Sequence, residues 1–153
     1  YQKKPVSVYS LAQRIYGPSY ISMETALSHH GWIPEAVYAC TCASFGNSKE
    51  FATPLGVFSY QRVPQHTFFH GVQRCNDDNG NVFFMASPAK ALVDYLYVHQ
   101  LHWTGLDDPI GSLRIDEDEL ARVTTEELEA LLDNYSNGRV KRFLTGWLDG
   151  VKS

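Results

Sequence analysis

No apolar run in this chain approaches the roughly 18 residues that crossing a bilayer takes, which excludes a membrane-spanning helix. Charged residues are sparse, at 20%, beside 44% hydrophobic and 13% aromatic residues, which excludes a wholly disordered polymer. Basic residues are not in surplus: the net charge is -4, which argues against a chain whose main business is gripping phosphates. Cysteine is scarce. Cys40, Cys42 and Cys75 are odd in number, too few for a disulfide scaffold and short of a four-cysteine zinc site. They read as reduced thiols, with the cytoplasm as the expected compartment. The start, Tyr1-Gln2-Lys3-Lys4-Pro5, has neither an initiator Met nor the apolar core of a signal peptide, so part of a longer protein is expected.

Catalytic signatures are missing as well. There is no Walker loop, no G-x-G-x-x-G, no G-x-S-x-G, and no Glu-x-Lys or Asp-x-Lys of the kind a metal-dependent nuclease needs. His66 and His70 are four apart in what reads as extended chain, about 13 Å and too far to share a metal. His29-His30 closes a helix, where a positive imidazole suits the dipole. His99 and His102 could begin a metal site but lack a third ligand. Asp77-Asp78-Asn79-Gly80 hints at a calcium loop, yet Ala86 stands where the bidentate Glu belongs. No cofactor, no metal and no enzymatic activity are expected.

What is present divides by charge. Residues 1–106 carry seven Lys/Arg against six Asp/Glu, residues 107–138 two against ten, and residues 139–153 four against one. Short helices are expected over Val8–Tyr16, stopped by Gly17-Pro18, and over Ser22–His30, capped by Ser22 and ended by Gly31. The middle is β-rich: Ala36–Ser44, Glu50–Thr53, Leu55–Val63, Thr67–Arg74 and Val82–Ala86, with a hairpin across the Asn/Asp/Gly run. Ser87-Pro88 opens a helix running to about Gln100, with Ala91, Leu92, Tyr95, Leu96 and His99 on one face and Lys90 and Asp94 on the exposed one. A loop is expected at Gly105–Gly111. Thr124 to Glu127 reads as a capping box, Asn137-Gly138 ends that helix, and Arg139–Val151 forms a last one. The fold class is α+β: one domain with an antiparallel sheet and helices at both ends of the chain, a sheet-containing body over 1–106 and a helical tail over 107–153.

Four strings, in order, resemble the C-terminal domain of the AbiEi family, the antitoxins and transcriptional regulators of type IV abortive-infection systems. They are Tyr20-Ile21-Ser22-Met23-Glu24-Thr25-Ala26-Leu27, Gly31-Trp32-Ile33-Pro34-Glu35, Thr53-Pro54-Leu55-Gly56-Val57-Phe58 and Ala86-Ser87-Pro88-Ala89-Lys90-Ala91-Leu92-Val93-Asp94. Thr25 replaces the family's usual Ser. The resemblance covers about residues 5–100 and implies a non-catalytic domain that counters a nucleotidyltransferase-like toxin. It also implies operator binding through a winged helix-turn-helix, which this sequence does not contain.

Two surfaces follow as candidates. The acidic residues Glu117, Asp118, Glu119, Glu126, Glu127 and Glu129 could face a basic partner, and Arg139, Lys141 and Arg142 form a weak phosphate patch. The alternative is a small α+β enzyme or nuclease relative with its site around His70, Cys75, Asp77 and Asp78.

Overall fold

The computed structural model describes residues 8–34, 39–77 and 79–152. Glu35, the first residues of the strand expected from Ala36, and Asp78 lie outside them. The elements are α1 (Val8–Ile15), β1 (Ser19–Ile21), α2 (Met23–His29), β2 (Ala39–Ser44), β3 (Lys49–Thr53), β4 (Gly56–Arg62), β5 (Val72–Asn76), β6 (Val82–Ala86), α3 (Pro88–Val98), α4 (Asp107–Leu113), α5 (Glu117–Ala121), α6 (Thr125–Asn134) and α7 (Gly138–Lys152).

The fold is α+β, with helices at both ends of the chain around one six-stranded sheet in the order β3-β4-β2-β1-β6-β5. The sheet is mixed, not antiparallel throughout. Strand β2 pairs in parallel with β4, and β1 in parallel with β6. The cause is the β3–β4 hairpin, closed at Thr53↔Gly56: β3 takes the outer edge and leaves β4 to fill the slot beside β2. Strand β1, absent from the sequence reading, joins the two halves. Its three residues are all buried, and they are too few for alternation to register.

Register separates two faces. Ile21, Cys42 and Tyr60 share one, where α1 packs: Tyr60 donates to the carbonyl of Ala12, and its ring meets Tyr16 at 5.3 Å. Cys40 and Cys42 are buried free thiols 4.0 Å apart on this side. Tyr20, Thr41 and Ala43 face the other way, toward α2, whose Thr25 hydroxyl donates to Ala39 O at 2.9 Å. Helix α3 lies on that side, buried almost all round, as a helix enclosed by neighbours must be. The tail shares this core. Trp147 of α7 meets Trp32 at 6.4 Å and donates its Nε1–H to Leu120 O.

Three further expectations change. The strand expected from Thr67 begins only at Val72, because residues 66–71 turn over the sheet's end and Gly71 takes φ +77. The loop after Gly105 is helical as α4, where Pro109 falls within the first turn and costs no hydrogen bond. Asn137 does not end α6 but opens α7, accepting from the Val140 N–H at 3.1 Å.

Candidate functional site

Four polar residues of the first and last family-like strings, Tyr20, Ser22, Lys90 and Asp94, meet inside the protein. Asp94 Oδ2 accepts from the hydroxyls of Tyr20 and Ser22, both at 2.7 Å, and Oδ1 accepts from Tyr135 at 2.6 Å. Strand β1, the start of α2 and the segment after α6 each deliver one hydroxyl to a single carboxylate on α3. Burial first, and the Asp94 charge second, hold the phenols of Tyr20 and Tyr135 well above their usual range. Ser22 stands at the N-cap of α2 but makes no cap bond, since its hydroxyl goes to Asp94.

Lys90 is equally enclosed. Both Lys90 and Asp94 are at 0% exposure, so the outward face expected for them is the inward one. The Lys90 ammonium donates to Gln65 Oε1 and lies 5.2 Å from the ring centroids of Tyr20 and Tyr135. Burial lowers its pKa, and Asp94 opposes that shift. Gln65 also donates to the Tyr20 hydroxyl at 3.0 Å and accepts from Asn134 Nδ2 at 3.0 Å. Asn134 pins the covering strap, residues 64–71, through the N–H and C=O of Thr67. Among the described residues, the one buried side-chain polar atom without a partner is Gln13 Oε1, on α1. Each buried polar atom of the cluster therefore has at least one partner.

Outside the strap a shallow depression of about 320 Å³ is lined by His66, Thr67, His70, Ala130, Asp133 and Asn134. The turn brings together two imidazoles that extended chain would keep apart. Even so, no group of three or more metal-type ligands occurs among the described residues. A second cleft, of about 110 Å³, holds Met23, Glu24, Thr41, Ser59, Gln61, Val98 and His99. His99 lies 3.8 Å from Glu24 there rather than pairing with His102. Met23 has φ +58, a backbone state nothing in its sequence announces. His30 differs from expectation too. Its Nε2–H donates to Ala86 O at 2.9 Å, and burial lowers its pKa, so the neutral ring is favoured over the cation.

The candidate surfaces are placed as follows. Glu117, Asp118 and Glu119 occupy the first turn of α5, and Glu126 and Glu127 that of α6, where the helix dipole stabilises them. Glu119 pairs with Arg122 at 3.1 Å, and Glu129 is exposed. The capping box is half made: Thr124 accepts from the Glu127 N–H, while the Glu127 carboxylate accepts from Ser87 Oγ at 3.0 Å. Of the phosphate patch, Lys141 donates to Leu132 O and Arg139 to Leu96 O, which leaves Arg142 as its exposed member. Among the described residues, the members of the alternative site are not brought together. His70 and Asp77 lie at opposite ends of β5, about 20 Å apart at strand rise. Asp77 is occupied in the hairpin tip by the N–H groups of Asn79 and Asn81. Cys75 sits opposite Phe83 with its thiol pushed up by burial. No protein-family model, curated protein or solved structure matches this chain.

Proposed function

We propose that this chain is a non-catalytic regulatory domain of the AbiEi antitoxin kind, acting in the cytoplasm against a nucleotidyltransferase-like toxin. Operator DNA would be reached through a winged helix-turn-helix outside this sequence. The observation that supports this reading is where two of the four family-like strings, the first and the last, converge. Tyr20, Ser22, Ser87, Lys90 and Asp94 meet in and beside a closed polar cluster, as scaffold residues do, and not around an open cleft. No helix among the described residues is long and apolar enough to cross a membrane. The enzyme alternative gains no support, since among its described residues His70 lies in the strap, Cys75 on β5 and Asp77 just past the end of β5. If a nucleotidyltransferase is encoded beside it, coexpressing the full gene product with that enzyme should restore growth. Continued growth arrest, with the protein soluble and folded, overturns the reading.

A further inference from the structure

Two of the six asparagines precede a glycine: Asn79-Gly80 at the tip of the β5–β6 hairpin and Asn137-Gly138 at the start of α7. That dipeptide carries a chemistry of its own. The main-chain nitrogen of the second residue, having lost its proton to solvent base, can bond to the asparagine Cγ. The Cγ–N bond of the side-chain amide then breaks, ammonia leaves, and a cyclic imide remains. Water opens the imide at either carbonyl, giving Asp or isoaspartate. Glycine favours the step because it has no Cβ to obstruct the attack. The other four asparagines are followed by Ser48, Asp77, Val82 and Tyr135, whose side chains crowd it.

The fold treats the two glycine-linked sites differently. Asn79 and Gly80 are both exposed, and the Asn79 side-chain amide has no hydrogen-bond partner among the described residues. Nothing stands within 4 Å of a Cβ built on Gly80, so solvent reaches this part of the turn. One bond opposes the attack: the Gly80 N–H donates to Asp77 O at 3.1 Å. It lies at the tip of an edge hairpin, where local opening costs least. Asn137 is held twice. Its Oδ1 accepts from the Val140 N–H at 3.1 Å, and its carbonyl accepts from the Lys141 N–H at 3.0 Å. Bringing its Cγ to the Gly138 nitrogen means giving up the cap and loosening the first turn of α7.

We propose that Asn79 is a site of spontaneous deamidation in the folded protein, and that Asn137, before an identical glycine, is protected as the cap of α7. Either product at position 79 adds a carboxylate close to Asp77. Isoaspartate also adds a main-chain methylene between the Asn79 and Asn81 N–H groups that Asp77 Oδ1 holds, which the tip accommodates only by loosening those bonds. This inference is independent of the regulatory role proposed above.

Incubating the folded protein in warm, mildly alkaline buffer and mapping its tryptic peptides by tandem mass spectrometry tests it. A gain of one mass unit should appear first at Asn79, with Asn137 about fivefold slower or more, the factor that losing a helix cap before attack imposes. Methylation by an isoaspartate-specific methyltransferase should rise in step, and Asn79→Gln should remove most of it, since the larger ring that Gln must form closes slowly. In urea strong enough to unfold the chain the gap between the two sites should close, which separates the effect of the fold from that of the sequence. Deamidation led by Asn137 or Asn47 in the folded protein overturns the proposal. So does a folded Asn79 that gains no mass while the unfolded chain converts, or a gap that urea leaves unchanged.

Discussion

Tyr135 donates its hydroxyl to Asp94 Oδ1 at 2.6 Å across 41 positions of sequence, with neither side chain exposed. Such a bond cannot exchange with water, so removing one partner exposes the full desolvation cost of the other. Tyr135→Phe leaves Asp94 two donors and should cost about 1–3 kcal/mol. Asp94→Ala strands three hydroxyls and leaves the Lys90 ammonium without a nearby countercharge, which should cost about 3–5 kcal/mol. Urea midpoints give both values. If Asp94→Ala proves the milder change, the cluster does not hold the fold.

Two backbone positions give predictions of opposite sign. Alanine at Gly146 should gain about 1 kcal/mol by helix propensity. Its Cβ, however, would stand 1.9 Å from Thr104 O, where α7 runs against the 104–105 backbone. Overpacking against main chain outweighs propensity, and Gly146→Ala should destabilise by about 2 kcal/mol or more. Gln100, at φ +55, follows α3 in a C-terminal motif in which Leu101 N–H donates to Leu96 O and Gln100 N–H to Tyr97 O. Glycine takes that conformation without penalty, so Gln100→Gly should raise stability by about 1 kcal/mol. Thermal unfolding that moves both variants in the same direction would contradict the geometry.

Much of this was legible because it is local. Ser87-Pro88 announced α3, the Asn/Asp/Gly run announced the β5–β6 hairpin, and the Val140, Phe143, Leu144, Trp147 stripe announced α7. The polar cluster was not legible, because its bonds join residues 25 to 74 apart. A pattern rule sends Lys90 and Asp94 outward as an exposed pair. The signal against that rule was available in their neighbours: Ala89, Ala91, Leu92, Val93 and Leu96 leave no polar side on which the pair could stand. The strap was hidden for another reason. Thr67-Phe68-Phe69 has strand composition, but the docking of His66 and Thr67 onto Asn134 and the left-handed Gly71 turn it over the sheet instead.

Ser87 now has two duties. Its oxygen accepts from the Lys90 N–H at 3.3 Å as N-cap of α3, and its hydroxyl donates to Glu127 on α6. Ser87→Ala removes both and should cost about 1–2 kcal/mol. Glu127→Gln keeps the cap and an acceptor, so it should cost less than half as much. Equal losses in denaturant unfolding would mean that the inter-helix bond, and not the cap, is what matters.

Stability should also depend on pH through His30. Its folded pKa is lowered, chiefly by burial, so below the unfolded value the unfolded chain binds more protons. The contribution is complete above about pH 6.5 and declines as pH falls through the folded value. His30→Gln keeps a side-chain donor that cannot titrate, and it should flatten this part of the profile. Subtracting the variant's urea-derived stability from that of the wild type isolates the effect. A difference that is constant from pH 7.5 down to about 5 would remove His30 from the account.

The acidic helices provide the last test. Five of the six candidate carboxylates sit in helix first turns, which explains them as partners of the dipole without any binding role. Glu127 is further committed to Ser87 and must be spared. Changing Glu117, Asp118, Glu119, Glu126 and Glu129 to Gln or Asn should therefore lower stability by about 1–2 kcal/mol, since part of the lost dipole interaction is returned as relieved repulsion between neighbouring like charges. It should leave growth rescue against the proposed toxin unchanged. The opposite result would be informative. If circular dichroism shows the fold intact while rescue is lost, the charge is steering encounter with a basic surface, as complementary potentials do. The dipole account alone would then be insufficient, and restoring the α5 and α6 carboxylates separately would show which helix makes the contact.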